Sequence, residues 1–88
     1  MKIVRKSGAI EEFSAEQLIA SLADASDEAN EPLPMSDINR IVAGFLEIAE
    51  GKERMASYQV KIIVTGLLYT KGYYGVIDKY LTYTRKRM

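Results

Sequence analysis

Hydrophobic positions follow a short extended pattern at the start of this 88-residue chain and a helical pattern over the rest of it. Ile3-Val4 and the run Ile10 to Phe13 stand on either side of Ser7-Gly8. Glycine accepts a positive φ without steric cost, so Ser7-Gly8 is a turn signal. Two short runs around such a turn predict a β-hairpin.

A first helix is predicted from Ala15 to about Ala29. Its apolar residues recur at helical spacing and form one stripe; they are Leu18, Leu22, Ala25 and Ala29. Ser14 is a suitable N-cap, and Gln17 can complete a capping box with it. Phe13 and Leu18 occupy the two positions of a hydrophobic staple.

A second helix is predicted to start near Ser36, which we expect to be its N-cap, and to end before Gly51. Its predicted buried face consists of Ile38, Ile41, Val42, Phe45, Ile48 and Ala49. The segment Lys52 to Ala56 is short and mixed, and we expect either a turn or a minor third strand there.

The stretch from Tyr58 to Lys71 is ambiguous because its β-branched residues favour a strand. It is too long for a typical strand and keeps helical spacing, so we interpret it as a buried helix with Ser57 as N-cap, ended by Gly72. Tyr73 to Arg87 is predicted as a fourth helix, with Tyr73, Ile77, Tyr80 and Thr84 on one face.

These elements predict a single α+β domain over residues 1–88. A small N-terminal hairpin, extended or not by a third strand, would cap a bundle of four helices. Apolar residues make up 48% of the chain, which favours a folded domain over disorder.

Composition excludes several classes of site. The chain has no Cys and no His, so a disulfide, a thiol nucleophile and a zinc ribbon are excluded. We find no nucleophile–base pair, Walker loop or metal-ligand cluster, and we expect no catalytic activity. With neither a signal-peptide pattern nor a membrane-length apolar run, we expect a cytoplasmic location.

The net charge is zero, yet both ends of the chain are basic. If the termini meet, Arg5-Lys6 and the run Arg85 to Arg87 form one patch on an acidic body. The alternative is two solvated ends with no binding role. The neutral total opposes nucleic-acid binding, which normally needs a dominant basic face.

The N-terminal stretch resembles the opening of the ATP-cone domain, the allosteric nucleotide module of ribonucleotide reductase large subunits and of a related transcriptional repressor. That family opens with V-x-K-R-D-G, followed by F-[DSN]-x-x-K-[IL]. The matching residues here are Ile3, Arg5-Lys6-Ser7-Gly8, Glu11, Phe13-Ser14 and Gln17-Leu18. The chain departs from the pattern in its inverted Arg-Lys order, in Ser7 for Asp and in Gln17 for Lys.

The resemblance implies a regulatory domain that binds ATP or dATP reversibly, accompanied or not by Mg²⁺. Occupancy would be coupled to a homo-oligomeric state or to a reductase-like partner, as in the control of ribonucleotide reduction. The alternative is a degenerate cone that acts as a protein–protein interaction module without nucleotide. The implied nucleotide-binding residues are Ile3, Arg5, Lys6, Glu11, Phe13, Ser14, Gln17, Leu18, Ser57 and Arg87.

Individual roles follow from side-chain chemistry and from the resemblance together. Arg5 is expected on the phosphates and Lys6 at the rim, because adjacent strand residues point to opposite faces. The family implies that Glu11 fixes ribose or base. It also implies that Arg87, or one of its basic neighbours, lies near the phosphates. The alternatives are exposed strand charges for Arg5, Lys6 and Glu11, and plain core packing for the apolar residues.

Overall fold

The computed structural model describes the backbone of residues 1–87 and the side chains of residues 1–82. It has a three-stranded sheet and four helices, which confirms the α+β class and the third strand. In chain order the elements are β1 (Lys2–Val4), β2 (Ile10–Glu12), α1 (Ala15–Ala29), α2 (Met35–Ala49), β3 (Arg54–Ala56), α3 (Ser57–Thr70) and α4 (Tyr74–Arg87).

The sheet is mixed and β1 is its central strand. Strand β1 pairs antiparallel with β2, where Ile3 lies opposite Glu11, and parallel with β3, where Ile3 lies beside Met55. Ile3 and Met55 are buried, so this face of the sheet covers the helices. The predicted turn closes the hairpin at Gly8, whose φ is 92° and whose N–H donates to the carbonyl of Arg5.

Helix α1 has the predicted bounds. The Ser14 hydroxyl accepts a hydrogen bond from the backbone N–H of Gln17 at 3.2 Å, which confirms Ser14 as the N-cap. The helix ends at Asn30, which takes the left-handed conformation with φ 53°. Buried Leu18, Leu22 and Ala25 face the rest of the core, as the spacing predicts.

The predictions for α2 are wrong in two details. Helix α2 starts at Met35 with Pro34 at the N-cap position, and Ser36 is already helical. The Pro34 carbonyl accepts from the N–H groups of Asp37 and Ile38, so the helix begins two residues earlier than the side-chain signal suggests. Ile48 is 50% exposed because it lies at the edge of the apolar stripe, beyond the reach of the packed helices.

Helix α3 confirms the helical interpretation of the β-branched stretch. Val64 and Leu68 are fully buried, so burial outweighs strand propensity there. Ser57, however, is the first helical residue and Ala56 is the N-cap. Strand β3 runs directly into α3, and the side chain of Gln59 accepts from the Ala56 N–H at 3.0 Å. Gly72, with φ 82°, follows the C-terminus of the helix.

The core lies between the sheet and the four helices. Its largest fully buried side chains are Phe45, Leu22, Ile38, Ile41, Leu68, Val64 and Val76. Phe13, at the end of the hairpin, stacks on Phe45 with ring centroids 5.1 Å apart, which ties the hairpin to α2. On the predicted face of α4, Tyr80 is buried, while the side chain of Thr84 lies outside the described residues. Among the described residues, no helix has the length and apolarity needed to span a membrane.

Candidate functional site

A cavity of about 150 Å³ opens where the hairpin meets α1, α3 and α4. It is lined by Ile3, Arg5, Glu11, Phe13, Ser14, Gln17, Leu18, Ser21, Ser57, Val60, Lys61 and Tyr80. Eight of the ten residues singled out from the sequence are among them. The remaining two are Lys6, which does not line the cavity, and Arg87, whose side chain lies outside the described residues.

The hairpin contributes an ion pair to the cavity. Side chains alternate along a strand, so Arg5 points to the same face as Ile3, and Glu11 lies opposite Ile3 in register. The guanidinium Nη2 of Arg5 donates to Oε1 of Glu11 at 2.6 Å. This hydrogen bond lowers the pKa of the Glu11 carboxyl and raises the pKa of Arg5. Both groups are therefore charged at neutral pH.

Lys6 follows Arg5 directly and is exposed. Lys6 lies in the hairpin turn beyond β1, and its side chain is not among the residues that line the cavity. Another ion pair of the hairpin joins Lys2 to Glu12 at 2.5 Å, and neither residue lines the cavity. Of the two adjacent cations in the sequence, the structure thus brings one to the cavity.

Two helix N-termini also reach the cavity. Ser14 is the N-cap of α1 and Ser57 is the first residue of α3, and both line it. The first turn of a helix has backbone N–H groups without helical partners and a partial positive charge. The N-termini of two separate helices therefore add to the attraction that Arg5 exerts on an anion.

Four lining residues were missed in the sequence: Ser21, Val60, Lys61 and Tyr80. A signal existed for three of them. Ser21 lies four residues after Gln17, and Val60 and Lys61 lie three and four residues after Ser57, so each shares a helix face with a predicted residue. Tyr80 comes from α4, and only the tertiary packing brings it here.

Tyr80 closes the inner end of the cavity from α4, with its side chain almost fully buried. Burial raises the pKa of its phenol to about 12, since the phenolate would lose its solvation. The hydroxyl is therefore neutral at physiological pH and adds no charge to the site.

The described part of the lining combines charged side chains with apolar walls. Among the residues whose side chains the structure describes, the charged ones at the cavity are Arg5, Lys61 and Glu11. Apolar surface comes from Ile3, Phe13, Leu18 and Val60. Such a lining suits an anion joined to a planar apolar group. Within the described part of the chain, no three His, Cys, Asp or Glu side chains group as metal ligands.

Comparison with known families gives a match over the whole chain. A family model described as an ATP cone domain matches residues 1–88, the whole chain. ATP-cone domains are nucleotide-binding regulatory modules rather than catalytic ones. A search of curated proteins finds no significant match.

Proposed function

Because the chain belongs to the ATP-cone family, we propose that it binds ATP or dATP reversibly in this cavity. Binding would then change either the self-association of the chain or its interaction with a partner protein. One observation carries the proposal. Eight residues selected by resemblance, from the hairpin, α1 and α3, converge on a single cavity lined by cations and helix N-termini.

The cavity chemistry supports an adenine nucleotide in one orientation. Arg5 would bind a phosphate through its planar fork, beside the N-terminus of α1. Glu11, a charged acceptor, suits a ribose hydroxyl or the exocyclic amine of the base. The apolar wall of Ile3, Phe13 and Leu18 would cover the adenine ring.

Cavity size supports the same arrangement. A cavity of about 150 Å³ is large enough for one small aromatic ring. A whole nucleoside triphosphate is larger, so only part of the base would enter and the phosphates would remain outside, near Arg5 and the helix N-termini. We infer that Mg²⁺, where present, would arrive on the triphosphate.

The two faces of α3 support a coupling between ligand binding and association. One face lines the cavity through Ser57, Val60 and Lys61. Another carries exposed Tyr58, Ile62 and Tyr69. A ligand that shifts α3 would therefore move an apolar outer surface, and a second copy or a reductase-like partner bound there would respond.

The same outer surface favours a second candidate function. The ring of Tyr69 packs against that of Tyr74 of α4 in a tilted arrangement with centroids 5.3 Å apart, and both residues are more than half exposed. A cone that had lost nucleotide binding could still dock a partner through such aromatic surface. Nucleotide binding itself therefore separates the two candidates.

Isothermal titration with ATP, dATP, ADP and adenosine tests the proposal, with Mg²⁺ present in one series and omitted in another. We expect saturable binding of the triphosphates and much weaker binding of adenosine. Sedimentation of the same samples would show whether the bound ligand changes the mass of the species. If none of the four ligands binds at millimolar concentration, the interaction module is the better description.

A further inference from the structure

Ser21 brings a hydroxyl group to the cavity from the second turn of α1. Its side chain is half-buried and lines the cavity. The Ser21 hydroxyl forms no hydrogen bond with any residue that the structure describes. The hydroxyl of Ser14, in contrast, accepts from the Gln17 N–H, and Arg5 and Glu11 bond to each other. The Ser21 hydroxyl is therefore available to a ligand in the cavity.

Ser21 and Gln17 form a neutral polar pair on one face of α1. They are four residues apart, a spacing that makes two side chains neighbours on a helix, with Cβ atoms about 5–6 Å apart. The Gln17 side chain lines the cavity as well. Its amide and the Ser21 hydroxyl each have donors and acceptors but no charge. The pair thus suits neutral hydroxyl groups of a ligand better than its phosphates.

Helix α1 presents three kinds of group to the cavity. Its N-terminus at Ser14 suits a phosphate, and the apolar side chain of Leu18 suits a base. A nucleotide has its ribose between these two parts. With the phosphates beside the N-terminus of α1, the ribose hydroxyls would lie along the following turns, where Gln17 and Ser21 are placed.

We propose that the Ser21 hydroxyl, beside Gln17, hydrogen-bonds the 2′-hydroxyl of the ribose and makes this site prefer ribonucleotides over deoxyribonucleotides. This preference rests on the proposed nucleotide function and names the sugar that the site selects. Because dATP lacks the 2′-hydroxyl, it leaves Ser21 without that partner. A neutral hydrogen bond at a half-open site corresponds to a preference for ATP over dATP of about three- to ten-fold.

The test titrates ATP and dATP, at fixed Mg²⁺ and ionic strength, into the parent and into Ser21→Ala. The parent should bind ATP about three- to ten-fold more tightly than dATP. Ser21→Ala should lower the affinity for ATP to about that for dATP, and should leave the affinity for dATP within about two-fold of the parent. The loss is selective because only ATP has the hydroxyl that Ser21 contacts.

Two more variants separate the lost hydrogen bond from a change in packing. Ser21→Cys nearly keeps the shape of the side chain but has only a weak donor and acceptor, so it should lose the preference as well. Ser36→Ala is the matched control, since Ser36 is an exposed serine of α2 that does not line the cavity. It should leave both affinities unchanged. Circular dichroism melting shows that each variant is folded.

The outcomes distinguish this preference from the proposed function. If the parent binds neither nucleotide, both proposals fail. If the parent binds the two nucleotides equally well, or dATP more tightly, nucleotide binding stands and the role of Ser21 is refuted. That role is also refuted if the Ser21 variants keep the preference of the parent, or lose affinity for ATP and dATP to the same extent. A loss confined to ATP in both Ser21 variants supports it.

Discussion

Arg5 and Lys6 provide a matched pair of variants, because they are adjacent and equally charged but differ in their position relative to the cavity. Arg5 lines the cavity and Lys6 does not. Arg5→Gln and Lys6→Gln each remove one positive charge from the same short segment. If phosphates bind in the cavity, the two changes should have very different effects on ATP affinity.

The size of the effect follows from the contact that is lost. A hydrogen bond to a charged group contributes about 1.5–3 kcal/mol, and 1.4 kcal/mol corresponds to ten-fold in affinity. The Arg5 side chain is 37% exposed, which favours the lower part of that range. We therefore expect Arg5→Gln to weaken the affinity for ATP by about 10- to 30-fold.

Two further effects on the affinity for ATP have clear directions. In Arg5→Gln, Glu11 loses its partner and becomes an uncompensated carboxylate at the cavity, which repels phosphate and adds to the loss. Lys6 acts only through screened solvent, where the Debye length is about 8 Å at physiological ionic strength. Lys6→Gln should therefore change ATP affinity by less than about two-fold.

Isothermal titration gives both affinities, and circular dichroism melting shows whether each variant is folded. Both curves should stay close to that of the parent, because Arg5 and Lys6 lie at the surface. Equal losses in the two variants would show that the segment acts by bulk charge and not through a directed contact. A larger loss for Lys6→Gln would place the phosphates on the other face of the hairpin.

Three other predictions concern stability. Ser26→Ala should cost about 2–3 kcal/mol of unfolding free energy in urea denaturation, since the buried Ser26 hydroxyl donates to the Glu31 carbonyl at 2.7 Å and accepts from the Leu33 N–H at 3.0 Å; an unchanged midpoint would contradict this. The pKa of Tyr80 is raised to about 12 in the folded state, so between about pH 10 and 12 the unfolded state loses the phenol proton while the folded state keeps it. The contribution of Tyr80 to the unfolding free energy should therefore be constant below about pH 10 and fall by about 2–3 kcal/mol as the pH rises toward 12. Tyr80→Phe should remove that fall, and a persisting slope of equal size would assign it to other groups. ATP at a hundred-fold excess over Kd should stabilise the domain by about 2.7 kcal/mol, and equal melting shifts from ATP and adenosine would show that the phosphates are not bound.

Periodicity predicted the elements of this fold wherever a single buried stripe determines the structure. Helix α1 has the predicted bounds because Leu18, Leu22 and Ala25 all face the core. Helix α3 was predicted against the strand propensity of its residues. The helical spacing predicted the structure better than the residue propensities did, because it places the fully buried Val64 and Leu68 on one packed face.

Helix starts were less predictable, because more than one group can satisfy the first N–H donors. Ser36 and Ser57 are both good capping residues, yet each lies inside its helix. A Pro34 carbonyl and a Gln59 side chain serve the two starts instead. Such substitutes depend on how the preceding segment enters the helix, and composition alone does not encode that geometry.

The site was predictable to the extent that its residues lie close together in the N-terminal stretch. Lys61 and Tyr80 reach the same cavity from α3 and α4, far along the chain from the hairpin. For Lys61, the spacing of four residues from Ser57 on the same helix would have predicted that its side chain faces the cavity. For Tyr80 the helical spacing predicts only a position on the packed face of the fourth helix, and the tertiary packing decides that this face reaches the cavity.

The departures from the ATP-cone pattern differ in how strongly they affect the cavity, because only some of the changed residues line it. Ser7 lies in the exposed hairpin turn, where its hydroxyl accepts from the Ala9 N–H at 3.4 Å, and it does not line the cavity. Gln17 does line it, so this departure changes the chemistry of the site itself. The inverted Arg-Lys order brings a guanidinium to the cavity.

That guanidinium changes what the ion pair with Glu11 means for ligand binding. A lysine held by a carboxylate keeps two further donors, but its compact charge has no planar fork to fix their direction. Arginine has five N–H donors in a planar fork, and the bond to Oε1 of Glu11 uses one on Nη2. Donors on the rest of the fork can meet a phosphate while Glu11 fixes the orientation of Arg5. In this arrangement the ion pair would position Arg5 for the ligand without consuming all of its donors.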